Sequence, residues 1–477
     1  MKKILLILFC FSLLNLSYAQ EDFIQIETNK VLCLFSFLEN ASGQRGSSHT
    51  FREYIYQELG EEEKFRQLIK DYGKLQLEYS TPRQGYPDGR HIYLDSKDLM
   101  WIAASNARDV EDFRQRIIGY LPHNTKTELV EILKQIEPFY DRLIWKNEQG
   151  NISRIEKQLS AYEDDIENIF LRISRFYHTN WDKKTPFKIM LYPIPMRGGN
   201  TTAIPKGNAL ICSFLSHREN DYQGRLGVII HEMCHILFGE QTADFQHQID
   251  SWFSSSKSPY AKLAYTYIDE GLATVLGNGW AYEQIHGKED SLSWYNNPYI
   301  DGFAHAMYPL IKDYMKEGKA IDQAFIDKAI EIFGQTFPKS LQDTQVLMNE
   351  IQLFANSEIE AELDLISTSV RKDFRIQSMW FSTPIMNQQS IKSFSKPAIT
   401  KVFIVESKQA ETLKTLDKSF EGLKIETPLN SIDVFKDTET KSPVIVINIS
   451  DLSKLPAGMD VLARLGYLDF GKNYPIE

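Results

Sequence analysis

The sequence predicts an α+β fold that is mainly helical, with a small mixed sheet next to two helices able to share a metal ion, and a small C-terminal α/β module. Three observations carry that expectation. Apolar residues recur at spacings of three and four through much of residues 20–180, which is the period of an amphipathic helix. Two short apolar runs, Phe187 to Tyr192 and Ala209 to Phe214, have the length and the bounding turn residues of strands. Beyond residue 398, strand-like and helix-like stretches alternate, as they do in compact α/β units.

Residues 1–19 read as a secretory signal peptide. Lys2 and Lys3 precede an apolar stretch from Ile4 to Leu16, and Ser17-Tyr18-Ala19 is a small-x-small cleavage pattern. That stretch is too short to cross a bilayer comfortably, and no later run approaches the roughly 18 apolar residues of a spanning helix. The expectation is export to the periplasm or the extracellular space, without stable membrane insertion. A formal net charge of −11, more negative still once Lys2 and Lys3 are removed, counts against nucleic acid and anionic membrane as partners. Cys33, Cys212 and Cys234 remain after the leader. An odd, sparse set does not describe a disulfide scaffold. A Cys33–Cys212 bridge stays open, and Cys234 is expected in the core.

The helical part reads as Leu32 to Leu38, Phe51 to Leu59, Glu62 to Tyr72, Val110 to Tyr120, Thr127 to Trp145 and Ile155 to Tyr177. Gly85-Tyr86-Pro87-Asp88-Gly89 is a turn, and Met196 to Ala203 a flexible loop between the two strands. Further helices are expected over 302–315 and 320–335 and across Asp343 to Ile366. Thr383 to Ser390 and Ser395-Lys396-Pro397 look like linkers. The last module reads as strand Lys401–Glu406, helix Lys408–Phe420, strand Pro443–Ile449 and helix Leu455–Leu465.

The chemistry concentrates in Gly227-Val228-Ile229-Ile230-His231-Glu232-Met233-Cys234-His235-Ile236-Leu237-Phe238-Gly239, an H-E-x-x-H inside an apolar run. Four residues is slightly more than one helical turn, so His231 and His235 project from one face and can hold a single ion. Imidazole nitrogen is an ordinary zinc ligand. Glu232, beside the first histidine, is placed to act as general base on a metal-bound water. Gly239 is a natural helix stop. A catalytic zinc takes a third protein ligand, and Tyr267-Ile268-Asp269-Glu270-Gly271-Leu272-Ala273-Thr274 reads as the first turns of a second helix with Glu270 as the candidate. Asp269 and Asp244 are candidates to orient the ligands.

H-E-x-x-H followed by a glutamate in E-G-x-A resembles the gluzincin metallopeptidases. Pro298-Tyr299-Ile300-Asp301-Gly302-Phe303-Ala304 is similar to the P-Y-x-x-G-x-A segment of the gluzincin aminopeptidases. The resemblance spans about residues 187–308. It implies a zincin-like catalytic domain over 181–382, between a helical domain at 20–180 and the module at 398–477. It also implies one Zn2+ per chain on His231, His235 and Glu270, with Glu232 as base. Tyr299 or, as in thermolysin-like relatives, His305 would stabilise the oxyanion. The gluzincin plan puts an edge strand beside extended substrate, which suggests the Gly199–Ile211 region as that rail. The G-x-M-E-N segment with which the aminopeptidases hold a free amino terminus does not occur, which weakens an exopeptidase assignment. The expected function is therefore a secreted zinc metallopeptidase acting on peptide or protein substrates. The alternatives are a zinc hydrolase of non-peptide amides or esters, and a non-catalytic exported zinc-binding or scaffold protein.

Overall fold

The computed structural model describes residues 22–43, 48–87, 90, 93–199, 201–218, 220–376, 378–395, 400–420 and 423–477. The expected signal peptide lies outside these residues. Contacts divide the chain into two units. One runs to Ser256 and includes Leu263–Ile332; the other joins Lys257–Lys262 to Phe333–Glu477. The class is α+β, mainly helical with small mixed sheets.

In the first unit, helices Lys30–Ser42, His49–Leu59, Glu63–Tyr72, Ser96–Ser105, Val110–Arg116 and His123–Tyr140 share one apolar core. Lys30–Ser42 is its centre. The Asn29 side chain caps it by accepting from the backbone N–H of Val31 and Leu32, and every residue from Val31 to Ala41 is buried. The core continues onto a four-stranded sheet, because Met190, Tyr192, Ile194, Ile211 and Leu215 belong to the same cluster. The strands are β1 (Ile24–Glu27), β4 (Phe187–Ile194), β5 (Ala203–Lys206) and β6 (Ala209–Leu215), in the order β1-β4-β6-β5. β1, β4 and β6 run parallel, and β5 is the antiparallel edge. A short hairpin of β2 (Ser80–Pro82) and β3 (Tyr93–Asp95) stands apart from that sheet.

Several expectations change here. Ile24 pairs opposite Phe187, so the division expected at residue 180 is not one that the contacts follow. The first strand is four residues of Ile-Gln-Ile-Glu, too short to register against a helical background. Met196 to Ala203 ends in the edge strand β5 rather than running as loop throughout. Ile155 to Tyr177 is broken between Lys146–Ser160 and Glu163–Phe176. Cys33, Cys212 and Cys234 are all free and buried, so no Cys33–Cys212 bridge forms. Burial pushes the Cys33 thiol up to about 12.

The second unit is built on a six-stranded sheet ordered β12-β10-β11-β9-β7-β8. Its strands are β7 (Glu350–Ala355), β8 (Ser378–Ser382), β9 (Thr400–Val405), β10 (Ser431–Lys436), β11 (Pro443–Asn448) and β12 (Lys472–Pro475). β8, β7, β9 and β11 are parallel; β10 runs against them, and β12, antiparallel to β10, runs in their direction. Apolar clusters containing Leu353, Val402 and Ile445 on one face and Phe354, Phe403 and Val444 on the other make it a three-layer module. The helix expected across Asp343 to Ile366 is corrected: β7 lies inside it. Five of its six residues are buried, and a strand covered on both faces loses the two-residue alternation that would identify it. The module accordingly begins before the linker-like stretches, not at residue 398. Among the described residues no helix is long and apolar enough to cross a membrane.

Candidate metal centre

Helix Tyr222–Gly239 begins where the Asp221 carboxylate accepts from the backbone N–H of Gly224. Leu226, Ile229, Ile230, Met233, Cys234 and Leu237 are buried and seat it against β5 and β6. His231 and His235 are left on the remaining face. The second helix starts earlier than expected, at Ala261 rather than Tyr267. Ala261, Ala264, Ile268 and Leu272 form its buried stripe at helical spacing, so Glu270 sits well inside it and not in its first turns. Val275–Ala281 continues it as a π-helical segment through Gly277-Asn278-Gly279, although glycine disfavours a helix interior. A Cβ at Gly277 would stand 2.5 Å from the backbone nitrogen of His231 and 2.7 Å from its Cα. That glycine lets the two helices touch at the backbone of the first histidine.

His231, His235 and Glu270 are the one set of three ligand-type side chains brought together among the described residues, with their ligand atoms all within 4.8 Å. The two Nε2 atoms are 3.3 Å apart. Glu270 Oε2 is 3.6 Å from His231 Nε2, and Oε1 is 3.7 Å from His235 Nε2. Ligands about 2.0–2.1 Å from a tetrahedral zinc are themselves separated by about 3.3–3.4 Å. The two histidine nitrogens stand at that spacing, and the Glu270 carboxylate lies a few tenths of an ångström outside it, one oxygen facing each nitrogen. Glu270 Oε2 is also buried without a hydrogen-bond partner, an acceptor that a cation would satisfy. The donor set and its geometry fit Zn2+.

The surroundings prepare these atoms. His235 Nδ1 lies 3.1 Å from Asp269 Oδ1, so the Nδ1–H donates to that carboxylate and Nε2 presents its lone pair. Burial would lower the His235 pKa; the charge and hydrogen bond of Asp269, with Glu270 and Glu232, outweigh it and push the pKa up to about 9. A cation binding there must displace that proton. Burial raises the Glu232 carboxyl above its ordinary value, opposed by the two histidines and assisted by Glu270 and Asp269. Burial acts on Glu270 too, but hydrogen bonding and charge from His231 and His235, with a hydrogen bond from Tyr295, leave it lowered. Glu270 therefore favours its anionic form more, and Glu232 less, than an ordinary carboxylate does. Asp244 is exposed in the first turn of helix Ala243–Ser255, and of the two orienting candidates Asp269 is the one that meets a ligand.

Tyr299 stacks on Tyr267 at 5.7 Å between ring centroids. His305 stacks on Trp294 at 3.8 Å and lies 3.6 Å from Asp301. The tyrosine whose ring lies over His231, at 5.9 Å and 23°, and whose phenol bonds Glu270 is Tyr295. Asp301, in the first turn of helix Pro298–Glu317, fixes it by accepting from the backbone N–H of Trp294 at 2.6 Å and of Tyr295 at 3.0 Å. His305 thus braces the segment that carries Tyr295. The only sequence signal for Tyr295 was the density of aromatics ahead of Tyr299.

No protein-family model, curated protein or solved structure significantly matches the chain.

Proposed function

We propose that this protein is a zinc-dependent hydrolase of peptide bonds, exported as its leader-like N-terminus suggests. The observation that carries this reading is the triangle of His231, His235 and Glu270 at zinc-ligand spacing, with Glu232 beside it on the same helix. Bound zinc would supply Lewis-acid polarisation of a carbonyl and a water acidified to a pKa of about 7. His231, His235 and Glu270 would hold the cation, and Asp269 keeps the Nδ1 proton of His235 in place. Glu232, raised by its burial, accepts the proton of the attacking water and returns it to the leaving amine. The Tyr295 phenol is the donor closest in kind to an oxyanion partner. The edge strand β5 leaves backbone groups for an extended chain to pair with, and Pro205 within it is tolerated at an edge.

The test uses purified protein of residues 20–477 with zinc content measured. Wild type should hold about one zinc per chain and cleave casein or a quenched peptide library. Glu232→Gln should keep the zinc and lose the cleavage. Equal cleavage by Glu232→Gln and wild type would refute the mechanism, and turnover of esters but not peptides would move the substrate class.

A further inference from the structure

A cavity of about 450 Å³ lies in the first unit where helix Lys30–Ser42, helix Ser96–Ser105 and the edge strand β5 meet. That volume is ordinary for a ligand pocket. Every residue of the first helix from Val31 to Ala41 is buried, yet Ser36, Glu39 and Asn40 interrupt its apolar surface, and all three line the cavity. Spacings of three and four put them on one face of the helix. At the floor Glu39 Oε2 pairs with Lys97 Nζ at 2.8 Å, both side chains largely withdrawn from solvent, and Glu39 also accepts from the Tyr72 hydroxyl. A desolvated ion pair usually adds little stability that apolar residues would not supply. Its place in the central helix of an apolar core is better explained by what the cavity holds.

The rim and walls say what that is. Glu78 and Asp98, whose side chains are 59% and 47% exposed, stand where the cavity meets solvent. Glu78 lies 3.3 Å from Lys97, and Asp98 pairs with Lys206. Both lysines of the lining are therefore already paired, and four carboxylates (Glu39, Glu78, Asp95 and Asp98) stand against these two cations. The lining keeps two negative charges in excess. Its apolar wall is Ile204, Ile211 and the indole of Trp101, which sits edge-to-face with Phe35 at 4.8 Å. An apolar wall leading to an acidic rim matches a long side chain with methylenes along its stem and a positive charge at its tip.

Ile204 of β5 pairs opposite Ile211 of β6, so the face of the sheet that carries both is the face the cavity occupies. β5 is the edge of that sheet. Side chains of a strand added beside it alternate between the two faces, and every second one turns toward the cavity. Resting on the peptidase reading above, we propose that the cavity is a specificity subsite that takes a lysine or arginine side chain of an extended peptide paired along β5. Glu78 and Asp98 receive its charge, Trp101 and the two isoleucines receive its methylenes, and the Glu39–Lys97 pair closes the floor. The substrates are then peptides with basic residues.

The experiment measures binding of fluorescein-labelled short peptides to the E232Q protein by anisotropy, with lysine, norleucine or glutamate scanned through an alanine-rich sequence. At one position lysine should bind about tenfold or more tightly than norleucine, the usual worth of a hydrogen bond to a charged group, and kcat/KM of wild type should follow the same order. Adding E78Q and D98N together should remove most of that preference without moving the melting temperature. Adding E358Q and E411Q, which neutralise two exposed carboxylates of the second unit, should leave it intact. Four results overturn the inference: no peptide bound, equal affinity for lysine and norleucine at every position, an undiminished preference with E78Q and D98N, or an equal loss with E358Q and E411Q (attraction by the overall negative charge). Cleavage by wild type with no basic preference removes the subsite and leaves the peptidase reading standing. Lysine-selective binding lost with E78Q and D98N, but without cleavage by wild type, supports the subsite and removes the peptidase reading.

Discussion

Two imidazole nitrogens 3.3 Å apart, one of them with its other nitrogen committed to Asp269, leave lone pairs directed at the same point. A carboxylate oxygen with no donor completes the ring. At this scale the proposed mechanism turns on the donor to the developing oxyanion, and Tyr295 and Tyr299 make different predictions. Tyr295 already reaches Glu270 with its phenol and is held by Asp301 from behind. Tyr295→Phe should lower turnover by about 10²–10³ with zinc content and KM little changed; Tyr299→Phe should act mainly through its packing on Tyr267. Steady-state kinetics on the two variants decide, and a full rate from Tyr295→Phe would return the role to Tyr299 or His305. The grouping of His231 with His235 was legible in the sequence because helical geometry converts a spacing of four into a shared face. Tyr295 was not, because its place depends on a backbone pinned by Asp301, a contact that no local spacing encodes.

A helix pair can hold a metal only if its axes come close enough, and Gly277 sets that distance. An added methyl there meets the His231 backbone at 2.5 Å, and backbone cannot rotate aside as a side chain can. Gly277→Ala should therefore destabilise the protein by about 1–3 kcal/mol, the usual range for overpacking, and also weaken zinc binding by displacing His231. Gly239 is the internal control. It ends the same helix, yet a Cβ there has nothing within 4 Å, so Gly239→Ala should be neutral or mildly stabilising. Thermal melts with zinc titration compare them; equal behaviour of the two variants would mean that the close approach at Gly277 is not a constraint. Gly277 and Gly279 lie in a π-helical continuation of the second helix, where the close approach of Gly277 to His231 favours a residue without a side chain. Strands fared similarly. β4 and β6 stood out between turn residues, whereas β1 alternates over only four residues and β7, covered on both faces, has no alternation.

At the scale of the chain, the sequence suggested three parts, and the contacts give two. The reason is long-range pairing: β1, near residue 24, lies beside β4, near residue 187, and one apolar core runs from Lys30–Ser42 onto the sheet. Residues 22–180 are therefore built into the unit that carries the candidate metal centre, while β7 and β8 draw residues from Phe333 onward into the second unit. Each unit has its own apolar clusters, so each should unfold in its own transition. All three candidate ligands belong to the first. Zinc at one hundred times its dissociation constant stabilises whatever binds it by about 2.7 kcal/mol, and that free energy reaches only the unit whose unfolding releases the ion. Calorimetry with and without zinc should show two transitions, one raised by several degrees and the other unmoved. Loss of the shift in His235→Ala would tie it to this centre. Equal shifts in both transitions, or a single transition that moves as one, would mean that the two units fold as one cooperative body despite their separate cores.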